Sequence, residues 1–426
     1  MRKFISIAAL CVLGLAVVGA WWWLGREDVN ERVVLGMDCG VNALGLEWCQ
    51  RTLADFAEET GYDVTYKNSP DSSSLHNALL RELSLTRSDD VDVYSLDVVW
   101  PGSFADDLLD LNPYFTDAEL EDFFPRILEN NSVGDKLLAI PSYADAGLLY
   151  YRRDLLNKYG FDAPPQNWDE LERMARTIQT GERNEGNPDF WGYVWQGAQY
   201  EGLTCDALEW IAAEDGGTIV ESDGNISINN EAAVRALERA QGWVGTITPE
   251  NVTESFEEDS RAIWQAGNAA FMRNWPYAYS LGNAEDSPIA GLFDAAPLPG
   301  GANTLGGWQL GVSKYSKHPE EAVELVRYFT SAAVQKDNAL NGVGNPTRRS
   351  LYEDPEVLAS NPFFNRMPAI LDAAVARPST VTADNYVDVS TTFYTAVHRV
   401  LSGELSAQQA VDTLETTLSN IRAEGW

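Results

Sequence analysis

The chain has 426 residues, and its 64 acidic side chains against 30 basic ones give a formal charge of −34 at neutral pH. With no basic block or stripe to displace counterions from phosphates or to hold anionic lipid, a nucleic-acid binder and a polybasic membrane-surface protein are both excluded. The 45% hydrophobic and 11% aromatic content supplies enough apolar surface for large cores, so the charge does not signal disorder.

Arg2 and Lys3 precede an uncharged apolar run over 4–25, the pattern of an export signal. Small residues Val18-Gly19-Ala20 offer a cut after Ala20. The run is also long enough to remain as an anchor, with Trp21, Trp22 and Trp23 at the outer interface. Either way the body is expected outside the cytoplasmic membrane, in the periplasm or held on the outer face. Export permits a Cys39–Cys49 bridge across a short loop, against the alternative of three unreactive thiols that include Cys205. The three histidines, His76, His318 and His398, are too scattered for a recognisable zinc site, and neither metal nor cofactor is expected.

The pattern predicts a strand over 32–36, a helix over 47–59, a strand over 62–66, a helix over 75–85 and a strand over 91–96. Strands alternating with amphipathic helices argue for an α/β layer with a parallel sheet. Asp97 and Trp100 follow the third strand, at the carboxyl edge where open α/β sheets take ligands. Residues 137–151 form a long extended run broken by Pro141 and one carboxylate, Asp145, and suit a crossing between two lobes. Helices are expected over 168–179, 205–215, 231–243, 261–269, 319–330, 365–374 and 406–421. Two further crossings are expected at 273–277 and 306–312, the second with glycines that allow close backbone approach beside Trp308. The interior shows no clean boundary, which favours lobes built from discontinuous segments.

No Gly-x-Ser-x-Gly, phosphate loop, dinucleotide glycine signature or His-Glu-x-x-His is present, and carboxylates are too abundant for spacing to nominate a glycosidase pair. The aromatic residues say more. Of 14 Trp and 17 Tyr, a group formed by Trp100, Tyr143, Trp191, Trp195, Trp275, Tyr277 and Trp308 lies in loops or near the crossings. Aromatic rings stack on the C–H face of a pyranose, while carboxylates and guanidiniums bind adjacent hydroxyls. Trp210 and Trp243 lie on helical faces and are expected in the core. Asp97, Asp145, Trp275 and Trp308 are the residues on which this chemistry converges.

Four segments, 92–102 (DVYSLDVVWPG), 140–156 (IPSYADAGLLYYRRDLL), 274–277 (NWPY) and 306–312 (GGWQLGV), resemble the family 1 extracellular solute-binding proteins of ABC transporters, nearest their trehalose/maltose-binding branch. The resemblance runs from about residue 32 to the end. It implies a bilobed periplasmic-binding-protein-like α/β fold with two discontinuous lobes and a crossing-strand hinge. The expected division is 32–142 with 276–312 in the first lobe and 143–275 with 313–426 in the second. The implied sugar contacts are Glu47, Asp97, Tyr143, Asp145, Trp275, Tyr277, Gly307, Trp308 and Arg377, with Tyr386 near the last and polar help from the loop around Asp71 and Ser72. The segment 42–45 departs from the branch and is expected to reshape the pocket floor. The implied function is extracytoplasmic capture of an α-linked disaccharide (trehalose, maltose or sucrose) by a monomer that performs no catalysis and delivers it to membrane permease subunits. Alternatives are a secreted carbohydrate-active enzyme and a sensory ligand for a membrane receptor. A fourth arises because only seven basic residues are Lys. An Arg-weighted acidic chain suits high ionic strength as well as ordinary secretion, and in salt a compatible-solute glucoside such as glucosylglycerol becomes an alternative ligand.

Overall fold

The computed structural model describes residues 33–39, 43–67 and 73–426. The export segment, the departure beginning at Asn42 and the loop around Asp71 and Ser72 fall wholly or in part outside the described residues. In chain order the elements that position the site are β1 (Val34–Asp38), α1 (Ala43–Thr60), β2 (Asp63–Lys67), α2 (Ser73–Thr86), β3 (Val93–Asp97), β4 (Ile140–Ala146), β5 (Leu148–Arg152) and α3 (Trp168–Asn184). They continue through β6 (Trp191–Val194), α4 (Glu201–Ala213), α5 (Glu231–Trp243), α6 (Glu257–Gln265), β7 (Ala269–Asn274), β8 (Phe293–Ala296) and β9 (Leu305–Val312). The last are α7 (Pro319–Phe329), α8 (Ala332–Leu340), α9 (Tyr386–Leu401) and α10 (Ala407–Gly425).

Two sheets result. The first has the order β2-β1-β3-β9-β4 and the second β8-β5-β7-β6. As the βαβ pattern predicts, β1 is parallel to β2 and β3, while β9 enters antiparallel between β3 and β4. Leu35, Met37 and Val93 of the first sheet bury against Trp48, Leu53 and Phe56 of α1 and against Val326 and Phe329 of α7. The second sheet is covered by α3, α4, α5, α9 and α10, and the tryptophans are concentrated there. Trp168 and Trp210 each lie against Trp243, with ring centroids 5.2 and 5.5 Å apart, and Trp195 meets Trp210 at 4.9 Å. The core places of Trp210 and Trp243 follow from their helical faces. Trp195 does not: expected near the crossings, it is fully buried in this core because β6 directs it under α4.

The sheets are joined by three crossings. Gly147 alone separates β4 from β5, residues 297–304 run from β8 to β9, and residues 373–378 run from a short helix against β4 toward α9. These strands lie side by side. Gly147 N donates to Thr304 O (3.3 Å), Val375 N to Asn303 O (2.8 Å) and Leu305 N to Val375 O (2.9 Å). This differs from the sequence expectation in three places. Residues 273–277 are not a crossing, because β7 pairs with β5 and β6 and leads on to β8 of the same sheet. The segment 306–312 is a strand of the first sheet, and its crossing precedes it. The expected lobe division also shifts, since β8 belongs with the second sheet and α7 packs on the first. The helix expected over 261–269 ends at Gln265, where Gly267, with φ of +85°, turns the chain into β7.

Cys39 and Cys49 are joined by a disulfide with Cα atoms 6.0 Å apart, and Cys205 is a buried free thiol. Among the described residues no helix is long and apolar enough to cross a membrane. Closing so short a loop restricts the unfolded chain, and Cys39→Ser with Cys49→Ser is expected to lower stability by about 2–3 kcal/mol in denaturant titrations. Reductant should lower the wild type by the same amount and leave the double variant unchanged.

Candidate functional site

The carboxyl edge of the first sheet faces the crossings, and most of the residues singled out by sequence gather there. Asp97 ends β3 and is in register with Trp308 of β9, which is in turn in register with Tyr143 of β4. Two residues along, Gly306 is in register with Asp145. Gly306 also explains how the second sheet takes part. A Cβ built on it would lie 2.8 Å from Cζ3 of Trp275 and 3.2 Å from Cβ of Asp145, so an indole from the end of β7 rests beside a carboxylate of β4 over a bare glycine. Gly307 has φ of +114°, and a Cβ there would meet the carbonyl oxygen of Tyr143 at 2.3 Å. Both glycines are steric requirements of the register.

Trp308 packs edge-on to Trp100 at 5.5 Å and against His76 at 5.4 Å, and His76 Nε2 is 2.5 Å from Oδ2 of buried Asp38. Trp275 donates its indole N–H to Glu257 (3.3 Å) and carries the Arg273 guanidinium over its ring, 4.0 Å from the centroid. The Tyr277 hydroxyl donates to Glu258 (2.7 Å). Burial and that carboxylate push the Tyr277 hydroxyl well above its ordinary value.

Arg377 sits in the third crossing and touches both sides. Its Nη1 donates to Glu201 of α4 (2.6 Å), its Nη2 donates to Leu305 O (3.2 Å), and Nη2 lies 3.8 Å from Oδ1 of Asp97. The guanidinium side chain is 4% exposed and the Asp97 carboxylate 22%, so the carboxylate is the member of the pair open to a ligand. Tyr386 is nearby as expected, donating its hydroxyl to Glu201, as does Ser390 (2.5 Å). Glu47 is exposed on α1 and makes no hydrogen bond or ion pair among the described residues.

The carboxylates are electrostatically unlike ordinary surface acids. Burial raises the Asp97 carboxyl, and Arg377 and the Val99 N–H pull it partly back. Burial also raises Asp145, to about 7. Its hydrogen bond from Asn345 (3.1 Å) opposes the rise, and the negative charge of Asp97 adds to it. Asn345, Glu201, Glu257 and Glu258 were not singled out by sequence. Helix-borne carboxylates read there as solvated, and nothing local marks an asparagine 200 residues distant from its partner. Among the described residues no cluster of metal-ligating side chains is found.

Stacking rings beside hydrogen-bonding carboxylates and a guanidinium, at the joint of two sheets, have the chemistry to bind a polyhydroxylated solute. The family model for bacterial extracellular solute-binding proteins matches residues 47–336, and the chain belongs to that family. It is 47% identical to a probable ABC transporter-binding protein of Deinococcus radiodurans over 100% of both chains. It is similar in structure to maltose-bound MalE3 of T. maritima, with a TM-score of 0.83 and 38% identity over 91% of this chain and 100% of that one. The GacH receptor of Streptomyces glaucescens, solved unliganded and with acarbose, has a TM-score of 0.79 at 25% identity, covering 92% of this chain and 98% of that one. The protein is therefore a non-catalytic transport component outside the cytoplasmic membrane that binds a solute, broadly a sugar, for an ABC permease.

Two outcomes test this geometry. The folded-state value of Asp145 lies above the unfolded one (about 3.9), so its contribution to stability is full below the unfolded value and is lost as pH rises through about 7. Asp145→Asn should therefore gain in melting temperature relative to wild type between pH 5 and pH 8, by roughly a few degrees. Gly307→Ala should cost about 1–3 kcal/mol in chemical denaturation, because alanine is strained at this backbone angle.

Proposed function

We propose that the ligand is an α-linked disaccharide, maltose or trehalose, held between the two sheets and passed to the permease. The observation that carries this reading is the meeting of Trp275 and Asp145 over Gly306, with Trp308 and Asp97 in register alongside. A sugar ring needs an apolar plane and hydroxyl partners within a few ångströms of each other, and this arrangement supplies both.

In this reading Asp97 and Asp145 accept charge-assisted hydrogen bonds from hydroxyls, and Arg377 donates across the crossing. Trp275, Tyr277 and Trp308 supply faces, Tyr143 borders the ring, and Gly307 keeps the backbone close. Contacts from both sheets shift the protein toward a closed form that the permease recognises. Maltose in the MalE3 structure supports the α-glucoside class. Solved relatives of lower identity carry α-D-tagatose, ribitol and D-mannitol, so the choice of ligand rests on these side chains and not on the fold. The acidic, lysine-poor composition favours glucosylglycerol as the second reading.

A calorimetric panel of maltose, trehalose, sucrose, glucosylglycerol and glucose tests the proposal. Binding is expected for at least one disaccharide, with Asp97→Asn or Asp145→Asn weakening it by about 1.5–3 kcal/mol. No heat with any α-glucoside would overturn the ligand assignment. Tighter binding of glucosylglycerol than of every disaccharide would decide for the second reading.

A further inference from the structure

Helix α4 presents Glu201, Cys205 and Glu209 four residues apart, and all three face the crossings. Glu201 holds Arg377 of the third crossing, and Cys205 O accepts from Thr304 Oγ1 (3.0 Å) of the second. Glu209 does the most. Its Oε1 accepts the backbone N–H of Thr304 (3.1 Å) and Nη2 of Arg273 (2.6 Å), while Oε2 accepts Arg273 Nε (2.9 Å). It also abuts the first crossing, since a Cβ built on Gly147 would lie 2.0 Å from Oε1. Asp206 completes the group, with Oδ1 2.9 Å from Arg273 Nε. Glu209, Arg273 and Asp206 are all essentially inaccessible.

Burying three charged groups is weak evidence of stabilisation, because their desolvation offsets most of their attraction. Position is what this group supplies. The Arg273 guanidinium is held by Glu209 and lies over the Trp275 ring, 4.0 Å from its centroid. One carboxylate thus holds the plane on which a sugar would stack and two of the strands about which the lobes would turn.

We propose that Glu209 is a positioning residue for ligand binding, setting the Trp275 ring through Arg273 and tying that ring to the crossings through Thr304 and Gly147. This rests on the reading of Trp275 as a sugar-stacking residue. Glu209 touches no ligand. Its role is to keep the stacking plane at one angle to the hinge, so that closing the lobes brings the ring and the carboxylates of the first sheet onto the sugar together.

The test uses Glu209→Gln, which keeps shape and removes charge, and Arg273→Lys, which keeps charge and removes the planar face. Maltose binding is measured by calorimetry on both, on Trp275→Leu, and on the Glu209→Gln/Trp275→Leu pair. Each single variant is expected to weaken binding on the order of tenfold, and the pair no more than the weaker-binding single variant, since both act through one ring. Multiplying losses in the pair, or a folded Glu209→Gln with wild-type affinity, would overturn the proposal. Should Glu209→Gln fail to show a cooperative melt, Arg273→Lys with Trp275→Leu decides by the same criterion. Fluorine NMR of fluorotryptophan-labelled protein without sugar gives a readout independent of the ligand. The Trp275 resonance, assigned by its loss in Trp275→Leu, should shift or broaden in Glu209→Gln or Arg273→Lys, and an unchanged resonance refutes the assignment. If the wild type binds no sugar, the functional reading fails while this arm still decides the role of Glu209.

Discussion

Everything that defines the site depends on the pairing of three chain crossings under one helix. The crossings are linked by backbone hydrogen bonds, and α4 meets them with two carboxylates and a carbonyl spaced at helical turns. Each carboxylate brings an arginine that serves the cleft. Arg377 reaches Asp97 from Glu201, and Arg273 covers Trp275 from Glu209. The candidate binding residues come from strands far apart in the chain, and these two ion pairs relate them to a common frame. An ion pair so placed contributes little to stability and much to geometry.

The same frame accounts for the protonation behaviour of the cleft. Asp97 and Asp145 are near enough for one charge to raise the other, and each feels a guanidinium, Arg377 at Asp97 and Arg273 at Asp145. At Asp145 the larger opposition to the rise is the amide of Asn345, and Arg273 adds less. Burial raises both acids, and the groups that oppose it come from different elements. The aromatic side of the cleft follows a similar economy, with Trp308 braced by Trp100 and His76 and Trp275 braced by Arg273.

Much of this was legible in the sequence, and for definable reasons. Asp97 and Asp145 stand out because a carboxylate within an apolar strand has few roles, and Trp308 because glycines flank it. The βαβ rhythm of the first hundred residues dictated β1 to β3 nearly to their ends. Legibility failed where a residue's role depends on a distant partner. Nothing within 273–277 tells that β7 stays in its sheet, because strand pairing is a property of two segments and not of one. Trp195 looked like a loop aromatic and is core. Among 64 acidic residues, Glu201 and Glu209 are indistinguishable by pattern from the solvated carboxylates that surround them.

The side-by-side crossings also limit how the molecule can move. A single linking strand is a swivel, free to twist as well as bend. Three strands stitched laterally, as at Gly147, Thr304 and Val375, resist torsion and leave one easy arc. Opening and closing would then be travel along a single track, described by one angle. A guest too bulky for the cleft would stop that travel short while keeping many of its contacts. If the transporter reads that angle, discrimination among sugars is a matter of how far the jaws come together as well as how tightly they hold.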